Sequence, residues 1–121
     1  MLLAYISRTN NIQNIVNKLS LDAKSIINIS DNPDLILEQD FCLLTYTDFL
    51  GQIPDIVLSF LSKNSLKLKA VAGSGNRNFG RNFCGAAKKI QELYHVPIVA
   101  LFELSGDDES IRNFKEFLIT H

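Results

Sequence analysis

Val71-Ala72-Gly73-Ser74-Gly75-Asn76-Arg77-Asn78-Phe79-Gly80-Arg81-Asn82-Phe83 is the stretch on which the reading of this chain turns. It starts as the end of an apolar strand, becomes a loop of glycine, small polar residues and two arginines, and runs into a helix. Three of the six glycines fall between Gly73 and Gly80, and Gly85 lies just beyond. Glycine lacks the Cβ that keeps a backbone N–H away from a flat polar ligand. Taken alone, the stretch is equally a plain strand-to-helix turn. The rest of the chain decides between the two.

Before it, Leu2 to Ile6 is a short apolar run of the kind that is covered on both faces of a sheet. Ser7-Arg8-Thr9-Asn10-Asn11 follows as a polar loop. Ile12, Ile15, Val16 and Leu19 then recur at the spacing of an amphipathic helix. Ser25 to Ser30 reads as an edge strand, Asp31 to Asp34 as a turn, and Leu35 to Glu38 as one loose helical turn. Phe41 to Tyr46 is a second fully apolar strand, leading to Thr47-Asp48-Phe49-Leu50-Gly51-Gln52. Pro54 fits the first turn of a helix carrying Ile56, Val57, Phe60 and Leu61. Lys67 to Ala72 is the strand that delivers the opening loop. After it come a helix with Phe83, Ala86, Ala87, Ile90 and Tyr94 inward, a strand over Ile98 to Phe102, and a loop with an N-cap and acidic first turn. A last helix turns Ile111, Phe114, Phe117 and Leu118 inward. Five strands thus alternate with about four helices. That order demands a parallel sheet with right-handed crossovers and helices on both faces.

At 121 residues the chain reads as one domain, long enough to bury roughly two-thirds of its unfolded surface without disulfides or metal. A net charge of −1 gives no electrostatic case for nucleic acid or a membrane surface as partner. Neither a secretory leader nor a membrane-spanning run is visible, so the expected location is cytoplasmic. Cys42 and Cys84 lack paired spacing and read as small buried hydrophobes. No His, Cys and carboxylate cluster stands at metal-ligand spacing.

In a parallel sheet of this kind ligands bind outside the carboxyl ends of the strands. Three polar loops leave those ends: Ser7 to Asn11, Thr45 to Gln52 and Gly73 to Asn82. The first pairs hydroxyls and amides with the start of a helix at Ile12, an arrangement suited to a phosphate. It is neither a GK[ST] phosphate loop nor a GxGxxG motif, and simple capping by Thr9 or Asn10 explains the same residues. The second and third loops bring Tyr46, Phe49 and Phe79 with the backbone of Gly51, Gly73, Gly75 and Gly80, surfaces suited to a planar heteroaromatic ring. One phosphate and one such ring match FMN better than a dinucleotide.

Thr45-Tyr46-Thr47, Gly51-Gln52-Ile53-Pro54, the whole stretch from Gly73 to Phe83, Val96-Pro97 and Phe102-Glu103-Leu104-Ser105-Gly106 resemble the NrdI family. These are flavodoxin-like FMN proteins that serve class Ib ribonucleotide reductases. The likeness spans almost the whole chain. Asn10 stands where the family commonly has glycine, and Arg81 where an acid is common. The resemblance implies a flavodoxin-like three-layer sandwich with strand order 2-1-3-4-5. It implies phosphate contacts from Ser7, Arg8, Thr9, Asn10, Asn11 and Ile12. Thr45, Tyr46, Thr47, Phe49 and Gly51 then line one side of the ring, and Ser74, Gly75, Asn76, Phe79, Gly80 and Phe83 the other. It further implies a donor protein that reduces the flavin, and reaction of the reduced flavin with dioxygen. The resulting oxidant, superoxide, goes to the small subunit of the reductase, and no side chain acts as acid or base.

Arg77 and Arg81 stand in the ring loop with no acid near them in sequence, and Asp48 is the only acid of the second loop. Their charge is expected to stabilise fully reduced, anionic flavin by about 1 kcal/mol per exposed charge. The one-electron-reduced form is then less favoured than in an electron-carrier flavodoxin. Such a carrier is the nearest rival function. A receiver-type signalling domain would need an acidic pair after the first strand, where Ser7-Arg8 stands. A flavin-free adaptor is the third reading.

Overall fold

The computed structural model describes residues 1–48 and 51–121. Five strands, β1 (Leu2–Tyr5), β2 (Ile26–Asn28), β3 (Phe41–Thr45), β4 (Leu68–Gly75) and β5 (Ile98–Glu103), form one sheet in the order β2-β1-β3-β4-β5. Every neighbouring pair is parallel. Three helices lie between strands, α1 (Asn10–Leu19), α2 (Asp55–Asn64) and α3 (Gly85–Tyr94), and α4 (Asp108–Thr120) follows β5. This is the doubly wound order expected for a flavodoxin-like chain.

Successive side chains of a strand point to opposite faces, and the sheet separates two cores accordingly. Ala4, Leu43 and Val71 meet Val57, Phe60 and Leu61 of α2 and Ala86, Ala87 and Ile90 of α3. Leu3, Tyr5, Cys42, Leu44, Ala70 and Ala72 meet Ile12, Ile15 and Leu19 of α1 and Ile111, Phe114 and Leu118 of α4. All five residues of β3 are buried, which is why that segment is continuously apolar rather than alternating. Cys42 and Cys84 are free and buried among these contacts. Burial pushes both thiols up, Cys84 to about 11, so neither offers a thiolate near neutrality.

Three segments differ from the sequence reading. Leu35 to Glu38 is not a helical turn. The side chain of buried Asn64, at the end of α2, accepts from the Leu37 N–H at 2.7 Å and donates to the Leu35 carbonyl at 2.9 Å. Those backbone groups are thereby satisfied without a turn of their own. The edge strand is shorter than Ser25 to Ser30, because a 3-10 turn at Ala23–Ser25 is capped by Asp22. Most important, β4 runs to Gly75, with Ser74 and Gly75 paired to Phe102 and Glu103. The first half of the glycine-rich stretch is therefore strand, and its loop begins at Asn76.

Candidate functional site

The carboxyl ends of β1, β3, β4 and β5 open into one cleft with about 200 Å3 of water-accessible space. Arg8, Thr9 and Asn11 line it from the first loop, Tyr46 and Thr47 from the second, and Ser74, Gly75, Asn76, Phe79 and Asn82 from the third. Leu104 adds a fourth wall from the end of β5.

In the first loop the Ser7 hydroxyl donates to the Thr9 carbonyl at 2.5 Å, closing the turn. Thr9 is the N-cap of α1, in extended conformation, and its side chain makes no capping bond. No acid stands in the first turn either. The N–H groups that open an α-helix have no partner within it, so this end of α1 presents unanswered donors and a partial positive charge to the cleft. Asn11 is fixed by the Ser105 hydroxyl, which donates to its Oδ1 at 2.9 Å. Arg8 reaches across to pair with Asp48, and its guanidinium lies 4.7 Å from the centre of the Tyr46 ring. Burial, and then the charge of Asp48, push the Tyr46 phenol above its ordinary range.

Asp48 and Gln52 bridge each other through backbone bonds of 2.8 and 2.7 Å, closing the second loop on itself. The Thr47 hydroxyl accepts from the Ala86 N–H at 3.3 Å and so ties that loop to α3. Thr45 is fully buried, its hydroxyl donating to the Tyr46 carbonyl at 2.8 Å.

The third loop is a 3-10 segment, Arg77–Asn82, capped by Asn76, whose Oδ1 accepts from the Asn78 N–H at 2.9 Å. Phe79 stands 55% exposed at the cleft. Arg77 does not lack an acid. Its backbone N–H donates to Glu103 Oε2 at 3.0 Å, its Nε lies 3.9 Å from the same oxygen, and its guanidinium covers the Phe83 ring at 4.7 Å. Among the described residues Arg81 has no carboxylate partner. Of the two arginines expected to stand without an acid, Arg77 has one, and neither Arg77 nor Arg81 lines the cleft.

An uncapped helix start at one end and an exposed aromatic at the other suit a ligand that joins an anionic group to a flat ring. The residues from 3 to 116 match the family model described as NrdI flavodoxin-like. The chain belongs to the NrdI family. A protein NrdI of Macrococcus caseolyticus is 38% identical over 120 residues, covering 94% of this chain and 85% of its own. One of Bacillus licheniformis is 37% identical, covering 94% and 84%. Among solved structures, a short-chain flavodoxin associated with a bacterial microcompartment superposes with a TM-score of 0.68 at 19% identity, covering 98% of this chain and 95% of its own. A Fusobacterium nucleatum flavodoxin bound to flavin mononucleotide does so at 0.65 and 14% identity, covering 98% and 93%. These last two are likenesses of fold.

Of the NrdI-type site residues named from the sequence, nine line the cleft: Arg8, Thr9, Asn11, Tyr46, Thr47, Ser74, Gly75, Asn76 and Phe79. Ser7, Asn10, Ile12, Thr45, Gly51, Gly80 and Phe83 do not line it, and Phe49 lies outside the described residues. The Ile12 side chain lies in the core, the residue being 1% exposed, and the contact expected of it is through its backbone N–H. Gly51, in the second loop, packs against the start of α3, where a Cβ on Gly85 would come 2.6 Å from its Cα. Gly73 and Gly75 leave room for α3 and its N-cap. A Cβ there would stand 2.8 Å from the Ala87 Cβ and 2.8 Å from the Cys84 N, respectively. Sequence reasoning missed Asn82 and Leu104 as cleft residues. Leu104 is a leucine at φ +53, a left-handed conformation that costs about 1–2 kcal/mol, and no feature of composition or spacing announces it.

Proposed function

We propose that the cleft binds FMN and that the reduced flavoprotein activates the small subunit of a class Ib ribonucleotide reductase. The observation that carries this reading is the meeting, in one cleft, of the uncapped α1 start and the exposed Phe79. Family membership supports the same assignment. When bound and reduced by a donor protein, FMN supplies electrons to dioxygen, and the superoxide so formed is the oxidant delivered to the partner. The chain's own residues bind and orient. The open N–H groups of α1, with Ser7, Thr9 and Asn11 around them, receive the phosphate. Tyr46 and Phe79 offer apolar faces to the ring, and the backbone of Thr47, Gly75 and Asn76 offers polar atoms to its edge. Arg8 holds the second loop through Asp48 and Tyr46 rather than standing free beside the phosphate. No side chain is required as acid or base.

The test is reconstitution. The chain is loaded with FMN, reduced without oxygen and mixed with its cognate small subunit. Dioxygen is then admitted and a tyrosyl-type radical sought by electron paramagnetic resonance. A radical that depends on the reduced flavoprotein is expected. Full flavin occupancy without a radical favours the second reading, a one-electron carrier.

A further inference from the structure

The geometry points to Leu104 as a flavin-contacting wall of the cleft, a residue kept apolar in a backbone conformation that disfavours it. This rests on the FMN reading above. Four described residues other than glycine have positive φ: Ser20, Cys84, His95 and Leu104. Ser20 and His95 close helices and Cys84 opens one. Leu104 alone follows a strand at the rim, where glycine or asparagine would adopt the same conformation without the crowding of a branched side chain.

The conformation is enforced from β4. The Leu104 N–H donates to the Gly75 carbonyl at 2.8 Å, and the buried Ser74 hydroxyl donates to the Leu104 carbonyl at 2.5 Å. Ser74 is 4% exposed, so its hydroxyl serves the turn rather than a ligand. The next residue, Ser105, is tied to Asn11 of the first loop. Leu104 is thus fixed between the phosphate end and the third loop, on a support that does not depend on its own side chain. That side chain still leaves Leu104 44% exposed while it lines the cleft. Most of the other lining residues are polar, and Tyr46, Phe79 and Leu104 are the large apolar surfaces among them. A leucine retained against backbone preference, half in solvent and in one cleft with two aromatics, is placed to cover a flat apolar ligand surface.

The full chain is compared with Leu104→Asn, Leu104→Gly and Leu104→Met. FMN affinity is read from flavin fluorescence quenching, the bound flavin from its visible spectrum, and the flavin-free fold from its thermal midpoint. Asn and Gly are expected to leave the flavin-free midpoint at or above that of the parent. They should also weaken FMN binding at least fivefold and shift the visible bands. Met, which restores apolar bulk, should bind within twofold of the parent. FMN binding within twofold of the parent for both Asn and Gly overturns the assignment while leaving the FMN reading intact. Weakened binding accompanied by a lower flavin-free midpoint in both overturns it as well, since the residue is then structural. A parent chain that fails to bind FMN removes both readings.

Discussion

Gly80 has φ +58 and ψ −122 inside the third loop, and a Cβ built on it would meet nothing within 4 Å. The requirement for glycine there is conformational alone, since there is space for a side chain but no allowed backbone for one. Gly80→Ala is expected to destabilise the fold by about 1–3 kcal/mol, the range for a residue forced into a glycine-only region. A chemical denaturation midpoint lowered with an unchanged slope would show it, and an unchanged midpoint would mean that the loop relaxes freely. Single residues of this kind were partly legible. A glycine beside Phe79 announced a turn, but the sequence holds nothing that separates Gly80, needed for its φ, from Gly73, needed for its lack of volume. Arg8 shows the same limit in charge. Its position beside a phosphate-type loop is readable, whereas its pairing with Asp48, forty positions away, depends on how the second loop folds back. Likewise Arg77 finds Glu103 only because β4 and β5 end side by side.

Among elements, the contact that shapes the site is between the end of β4 and the start of α3. α3 approaches closely because Gly73 and Gly75 present no side chains and because Gly85 lies against Gly51. This approach lets Thr47 bond to the first turn of α3 and holds the second loop beside the third. Gly73→Ala should therefore push α3 away, costing about 1–3 kcal/mol as an overpacked core does. Ala87→Gly removes the atom that the new methyl meets at 2.8 Å, at its own helix cost of about 1 kcal/mol. The double variant should be more stable than the sum of the two by at least ~0.5 kcal/mol, the coupling expected of residues in contact. Strict additivity would show that the crowding is relieved elsewhere. The identities of the elements were well marked by apolar spacing, as with Ile12, Ile15, Val16 and Leu19, all buried. Their ends were less so. Ser74 and Gly75 read as loop because glycine and serine are poor strand formers. They are strand because Phe102 and Glu103 pair with them.

For the molecule as a whole, alternation of strand and helix dictated the parallel sheet, and burial on both faces explains the apolar runs at Leu3 to Ile6 and Phe41 to Leu44. That the loops leaving β1, β3 and β4 would meet at one rim followed from the winding; that the end of β5 would join them through Leu104 did not. Because the cleft is lined from all four of those strand ends, a ligand held in it would be linked to the stability of the entire fold rather than of one loop. FMN at a hundred times its dissociation constant should stabilise the chain by about 2.7 kcal/mol. For a chain of this size that raises the thermal midpoint by roughly 10 °C. Riboflavin offers the same ring without the phosphate and leaves the open N–H groups of α1 to water. Losing two charge-assisted hydrogen bonds of about 1.5–3 kcal/mol each weakens binding by a hundredfold or more. At the same ligand concentration the midpoint then moves by only about 1–2 °C. Differential scanning fluorimetry with the two ligands measures the difference directly. Equal shifts would show that the start of α1 takes no part in binding, and would confine recognition to the ring between Tyr46, Phe79 and Leu104.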